Sequence, residues 1–352
     1  MRLYYYRSAE GNFGDDLNAI IWPRLLPDCL EVGGERYRDD VQLIGIGTIL
    51  GHRLPPAKLN IIMGSGVGYG PSPERLDPTA FHAMALRGPL SARVLRLPDE
   101  CAVTDSAILL RGLGPWAGTG SEARELGDEA TRRDVVFMPH HSAAATGGWE
   151  LACREAGVVY LDPRGNCEAL IRSIAGARLV IADAMHGAIV ADVLRVPWVP
   201  VVTSLEINTF KWLDWTLSMR VPYRPVELPL LTPIQVARRT YKALLAQRHH
   251  QAKASAAAAL DAQARATVKG LRSWLSAWRR SVFPVERPTE PVEQRRSFLT
   301  EPWRRQLDKA IGVLHRLTAV PGVLSDDRVL EARCTTYQDR LEALRKLLDN
   351  RR

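Results

Sequence analysis

The hydrophobic positions fall into two regimes along the chain. Through the first 230 residues, short and nearly continuous apolar runs alternate with helix-sized segments, and many of the runs end in glycine. "RLYYYRS" (2–8), "VQLIGIGTI" (41–49), "KLNIIMGSG" (58–66), "FHAMALRG" (81–88) and "CAVTDSAILL" (101–110) read as strands buried on both faces. "DDLNAIIW" opens a helix limited by Pro23 and Pro27, and "PLSARVL" continues from Gly88 and Pro89 as another. The pattern restarts at "DVVFMPHH" (134–141), with strands expected over 157–162, 177–183 and 197–202 and helices over 148–156, 166–176 and 185–194. Strands alternating with helices of about ten residues imply right-handed crossovers and a parallel sheet. The expected fold is therefore α/β, with two Rossmann-like domains over 1–112 and 134–230. A linker rich in Gly, Glu and Arg joins them at 113–133, and the domains are expected to face a cleft, with ligands beyond the carboxyl ends of the strands.

From residue 231 the strand signals vanish. Ala, Leu, Arg and Gln dominate and predict a mainly helical extension over 231–352, broken between Pro284 and Pro302 and closed by a helix through "TTYQDRLEALRKLLDN". The charge is divided along the same line. Residues 231–352 carry 24 Lys+Arg against 12 Asp+Glu, while the first 230 carry 23 against 27, so the basicity belongs to the extension. Leu271, Trp274, Leu275, Trp278 and Val282 recur at helical spacing with Arg272, Arg279 and Arg280 on other faces. Such a helix suits either an anionic membrane surface or the protein's own body.

No run of 18 apolar residues occurs, and the N-terminal segment lacks the apolar core of a signal peptide, so a cytosolic chain is expected. Five scattered cysteines without a CxxC pair read as free thiols. No nucleic-acid recognition motif accompanies the basic extension, so nucleic acid is not expected as a partner.

Candidate chemistry gathers at strand ends. In "DAMHG" (183–187), His186 follows a strand and leads a helix whose N–H groups attract anions, and Asp183 is placed to cap that helix. Arg87 ends another strand beside a helix start, where an arginine suits bidentate capture of phosphate or carboxylate, or stays on the surface. Asp105 in "VTDSA" reads as a cap. Gly64, Ser65 and Gly66 lie in "MGSGVGYG", which misses the GxGxxG spacing but suits close approach of backbone to an anionic or sugar ligand. His140 and His141 face the same cleft without companion ligands at metal spacing, so no metal is expected. Lys211, among aromatics in "NTFKWLDW", reads as a contact to an anionic donor or as a snorkelling surface lysine. Asp15 and Asp16 in "GNFGDDLN" are two carboxylates where a helix starts, and capping needs only one.

Taken together, "GNFGDDLN", "RGPLS", "VTDSA" and "RLVIADAMHGAIVADVLRVPWVPV" resemble the polysaccharide pyruvyltransferase family, in its bacterial exopolysaccharide branch, over residues 4–215. The resemblance implies a GT-B-like pair of Rossmann domains and transfer of an enolpyruvyl-derived group from phosphoenolpyruvate to a sugar, commonly closing a cyclic ketal. It implies phosphoenolpyruvate as co-substrate with no other cofactor, His186 as general acid, and Asp15 or Asp16 to orient or deprotonate the attacking hydroxyl. Arg87, Lys211, Gly64, Ser65, Gly66 and His140 become donor contacts, with His186 and Arg87 expected to converge on one small dianion. Many members carry arginine two residues before the histidine; here that position is Ala184, and Arg87, Lys211 and Arg178 are the replacement candidates. The acceptor would be a lipid-linked oligosaccharide, with the extension holding the protein peripherally at the inner face of the cytoplasmic membrane. The rival readings are a nucleotide-sugar glycosyltransferase and a non-catalytic polysaccharide-assembly protein.

Overall fold

A computed structural model describes residues 1–27, 29–30, 41–51, 54–69, 76–114, 116, 134–204, 207–232, 235 and 301–350. It is a mixed α/β fold with two parallel sheets. The first sheet has β1 (Arg2–Tyr4), β2 (Val41–Ile44), β3 (Leu59–Met63) and β4 (Phe81–Ala85) side by side in chain order. The second comprises β5 (Asp134–Met138), β6 (Val159–Tyr160), β7 (Ala177–Ala182), β8 (Trp198–Val202) and β9 (Val226–Glu227), in the order β6-β5-β7-β8-β9. From β5 the chain crosses to β6 on one side and returns to β7 on the other. That reversal opens a crevice at the carboxyl ends of β5 and β7, where doubly wound sheets bind ligands.

The apolar runs form strands because both faces are covered: every residue of β3 is buried, as is all of β7 except Arg178. Between the sheets lie α1 (Phe13–Leu25), α5 (Cys167–Ala175), α6 (Met185–Val193) and a 3-10 helix (Ser106–Gly112). One apolar cluster runs through them from Leu43 and Ile61 of the first sheet to Val136 and Val180 of the second. The outer face of the first sheet packs under α2 (Pro89–Val94). The outer face of the second packs under α4 (Trp149–Ala156), which follows the short α3 (His141–Ala144).

The remaining helices tie the halves together. After β8, α7 (Thr209–Met219) reaches back to pack on α2. The described part of the C-terminal extension packs on the body: α8 (Glu301–Leu317) buries Leu307, Ala310 and Leu314 with Trp149 and Ala152 of α4. Next, Val323 pairs with Trp198 as an antiparallel bridge, and α9 (Asp327–Asp349) sends Leu330, Tyr337, Leu341 and Leu344 into the core between the sheets.

Several local expectations change. "CAVTDSAILL" is no strand: a single bridge at Ala102 gives way to the 3-10 helix, because the Asp105 carboxylate accepts from the Ala107 N–H and starts a turn. Pro23 lies inside α1 rather than ending it. The Trp- and Arg-bearing segment 271–282 and most of the 113–133 linker lie outside the described residues. Among the described residues no helix is long and apolar enough to cross a membrane.

Candidate functional site

The carboxyl ends of the two sheets meet. Phe13, at the start of α1, donates its N–H to the Pro163 carbonyl, at 2.7 Å, beyond β6. Asn208, at the start of α7, donates through Nδ2 to the Gly68 carbonyl beyond β3. Lys211 places Nζ 3.2 Å from the Tyr69 hydroxyl. His186, at the start of α6, lies with Nδ1 against Gly14 of α1, where any Cβ would occupy the imidazole's place. This is the physical reason for glycine ahead of the aspartate pair.

The two aspartates divide their work. Asp16 accepts from the Asn12 backbone N–H at 3.0 Å and closes the first turn of α1. Asp15 accepts from the Asn12 side-chain amide and is 8 % exposed, close enough to His186 and Lys211 to feel both charges. Burial pushes its carboxyl from an ordinary 3.8 to about 6, against the opposing pull of His186, Asn12 and Lys211. Asn18 completes the motif: it accepts from Ile46 N–H and Trp22 Nε1 and donates to the Asp15 and Ile46 carbonyls, locking α1 to the end of β2.

The raised Asp15 value has a stability consequence. The folded chain holds this proton more tightly than the unfolded one, so its contribution is complete below about pH 3.8 and lost as pH rises through about 6. Asp15→Asn keeps an acceptor for Asn12 and removes the buried charge. Urea unfolding is expected to show the variant more stable by about 1–3 kcal/mol at pH 8, with the gain vanishing near pH 4.

Asp183 does not cap α6, whose N-cap residue is Ala184, with no side-chain cap. Its fully buried carboxylate accepts from His140 N–H at 2.8 Å, Thr203 N–H at 3.1 Å and the Thr203 hydroxyl at 2.6 Å. It thereby clamps the ends of β5, β7 and β8, and burial raises it to about 6 despite those bonds. His140 is thus held at the crevice by its backbone, while its Nδ1 lies 2.8 Å from the Ser142 hydroxyl at the start of α3.

Arg87 is placed differently from the sequence expectation. Its side chain is 0 % exposed and ion-paired at 3.1 Å with Asp214 of α7, also 0 % exposed. Its Nη1 donates to Thr48 Oγ1 and its Nη2 to the Val67 carbonyl. The other Asp214 oxygen accepts from Leu90 and Ser91 N–H, so the "RGPLS" turn does bind a carboxylate, but the protein's own. Arg87 and His186 therefore do not converge on a shared solvent-facing ligand. Gly64 and Gly66 also turn inward: a Cβ on Gly64 would strike Ser106, and one on Gly66 would strike Arg87 and Ser91. Ser65 is buried and donates to the Gly47 carbonyl. The close approach that these glycines permit is to protein groups. Arg178 sits at the opposite, amino end of β7, bonded to the Thr318 carbonyl.

What the structure brings together is Asp15, His186 and Lys211, with the Asp183 clamp and His140 behind them. Sequence reasoning treated Asp105 only as a cap. It is one, through Oδ1 at 3.0 Å from Ala107 N–H, but its Oδ2 also lies 3.4 Å from His186 Nε2. Tyr69, at the end of the "MGSGVGYG" run, was not singled out either; its ring lies under the Lys211 ammonium at 5.5 Å. Among the described residues no three His, Cys, Asp or Glu side chains form a metal-ligand cluster.

Comparison with known proteins points the same way as the motifs. The family description "Polysaccharide pyruvyl transferase" matches residues 122–204, which include β5 to β8 and His186. The chain is 40% identical over 233 residues to the succinoglycan biosynthesis protein ExoV of Rhizobium meliloti (strain 1021), an alignment that covers 66% of this chain and 69% of that protein. No solved structure matches it significantly.

Proposed function

The chain belongs to the polysaccharide pyruvyl transferase family, and from that premise we propose that it moves pyruvate from phosphoenolpyruvate to a sugar of a lipid-linked exopolysaccharide repeat unit, forming a cyclic ketal. The 40% identical relative is named for succinoglycan biosynthesis, which supports an acceptor of that exopolysaccharide class. The observation that carries the reading is the meeting of Asp15, His186 and Lys211 where strand ends of both sheets converge. Two parallel sheets with meeting carboxyl ends also support the GT-B-like reading of two Rossmann-like units facing a cleft.

The donor carries a phosphate and a carboxylate and needs a fixed cation. Lys211, on α7, takes that part, and the uncapped first turn of α6 adds N–H donors. His186 gives a proton to the donor's methylene carbon. The adjacent carbon becomes oxocarbenium-like, and a sugar hydroxyl oxygen bonds to it while passing its proton to Asp15. A second hydroxyl then bonds to the same carbon as the C–O bond to phosphate breaks, and that hydroxyl's proton leaves with inorganic phosphate. The proton on Asp15 returns to His186 for the next cycle, so one donor and two hydroxyls give one ketal and one phosphate. Asp16 stays in its capping role. Arg87 has no part in donor binding on this scheme.

Incubation with phosphoenolpyruvate and an extracted lipid-oligosaccharide tests the reading. The acceptor is expected to gain pyruvic acid less one water, with one phosphate released per ketal. Thermal stabilisation by a sugar nucleotide but not by phosphoenolpyruvate, with no mass gain, would instead identify a glycosyltransferase. The net basic extension supports peripheral contact with the inner face of the cytoplasmic membrane, and co-sedimentation with anionic liposomes that persists unchanged without residues 236–300 would defeat that part.

A further inference from the structure

We infer that Asp105 is a positioning residue for His186: its buried carboxylate fixes the imidazole with the proton on Nε2 and leaves the Nδ1 edge to the substrate. The inference rests on the reading of His186 as the proton-transferring group.

The two atoms concerned are the sealed ones. Asp105 Oδ2 and His186 Nε2 are both buried without a well-formed hydrogen bond, and they face each other at 3.4 Å. A carboxylate oxygen hidden from water with nothing to accept from is expensive, so it persists only where a partner approaches it. The imidazole is the group in place. At 3.4 Å the contact is about half an ångström longer than a charge-assisted bond, as such contacts often are before substrate is bound. The His186 side chain is 16 % exposed and Nε2 is buried, so its access to solvent lies on the rest of the side chain, whose Nδ1 lies by Gly14, next to Asp15.

Asp105 is itself held from three directions. Its Oδ1 accepts from Ala107 N–H, and its carbonyl accepts from Ile108 N–H at 3.2 Å, which starts the 3-10 helix. The preceding carbonyl, of Thr104, accepts a 2.7 Å hydrogen bond from the Tyr337 hydroxyl on α9. Tyr337 is completely buried, so the C-terminal helix braces the segment that carries the carboxylate. A simple cap would need none of this, because one oxygen suffices for the Ala107 N–H and the other would be free to face water.

The consequence for chemistry is a choice of tautomer. A carboxylate at Nε2 favours the ring form that donates there and makes Nδ1 the nitrogen that exchanges protons with substrate. His186 is then the middle member of a relay of orientation, not of proton transfer, from α9 through Asp105 to the ligand.

The test compares Asp105→Asn, His186→Ala and the double variant in the phosphoenolpyruvate assay. Asn at 105 keeps an acceptor for Ala107 N–H and is nearly isosteric. It is expected to lower kcat about 100-fold or more, as wrong-tautomer substitutions do, with the donor KM within about threefold. Adding Asp105→Asn to His186→Ala is expected to lower the residual rate no further. Full activity of Asp105→Asn beside an inactive His186→Ala overturns the inference and leaves the proposed function standing; an active His186→Ala removes that function's proton donor instead. Losses that multiply in the double variant also overturn it. Should the variant fold poorly, 15N spectra of histidine-labelled wild type decide: neutral His186 is expected as the Nε2–H form, and the Nδ1–H form refutes the assignment.

Discussion

Replacing Asp214 by alanine is expected to lower the free energy of unfolding by about 3–5 kcal/mol, because it strands a buried guanidinium without its counter-charge. Both members of the Arg87–Asp214 pair are sealed from water. The substitution also removes the acceptor of Leu90 and Ser91 N–H, leaving the start of α2 open. Arg87→Ala is expected to fall in the same range, since the carboxylate then loses its cation. The double variant Arg87→Met with Asp214→Leu is expected to lose far less than the two single losses combined, because it strands no charge. Equilibrium urea unfolding of the four proteins at pH 7 checks this. The same series decides what Arg87 is for. If it bound the donor, Arg87→Ala would raise the donor KM and leave unfolding unchanged, the reverse of the expected result.

This pair also explains why a sound chemical reading of "RGPLS" pointed to the wrong ligand. An arginine at a strand end beside a helix start does recognise a carboxylate. The sequence cannot show that the carboxylate comes from Asp214, 127 positions along the chain. Asp105 escaped for a related reason: its capping role is local and readable in "VTDSA", whereas its approach to His186 depends on the 3-10 helix lying beside α6. By contrast, β5 to β8 and the main helices between them were legible, because strands buried on both faces leave unbroken apolar runs, set off by helix starts such as Asn166. "CAVTDSAILL" shows the limit of that rule. It is apolar because Ala107, Ile108 and Leu110 sit in the core between the sheets, and burial alone does not separate a strand from a 3-10 turn. The docking of α9 was hidden in the same way. Leu330, Tyr337, Leu341 and Leu344 give an apolar stripe, but only the structure shows that it covers the core and not a membrane or a partner.

His186→Ala is expected to reduce ketal formation by about 10²–10⁴-fold, the usual contribution of a positioned acid or base. Stability should fall by about 1–3 kcal/mol, because the buried Asp105 Oδ2 loses the imidazole that faces it, a loss that leaves the chain folded. The small hollow left beside Gly14 opens toward the site. On the proposed scheme the loss belongs in turnover, with the donor affinity assigned to Lys211 nearly unchanged, and initial-rate kinetics with varied phosphoenolpyruvate measure both. On the same proposed scheme Asp15 supplies the matching limb of the pH profile. Its carboxyl is pushed to about 6, so the form that accepts a hydroxyl proton is depleted as pH falls below that value, and kcat should decline there. Asp15→Asn should abolish that acidic limb together with most of the rate while raising stability at pH 8, which is the mark of a buried charge kept for chemistry. A His186→Ala protein that still pyruvylates at the wild-type rate would move the proton donor elsewhere in the crevice. A cell carrying the inactive variant yet making fully pyruvylated polymer would mean that another protein performs the transfer.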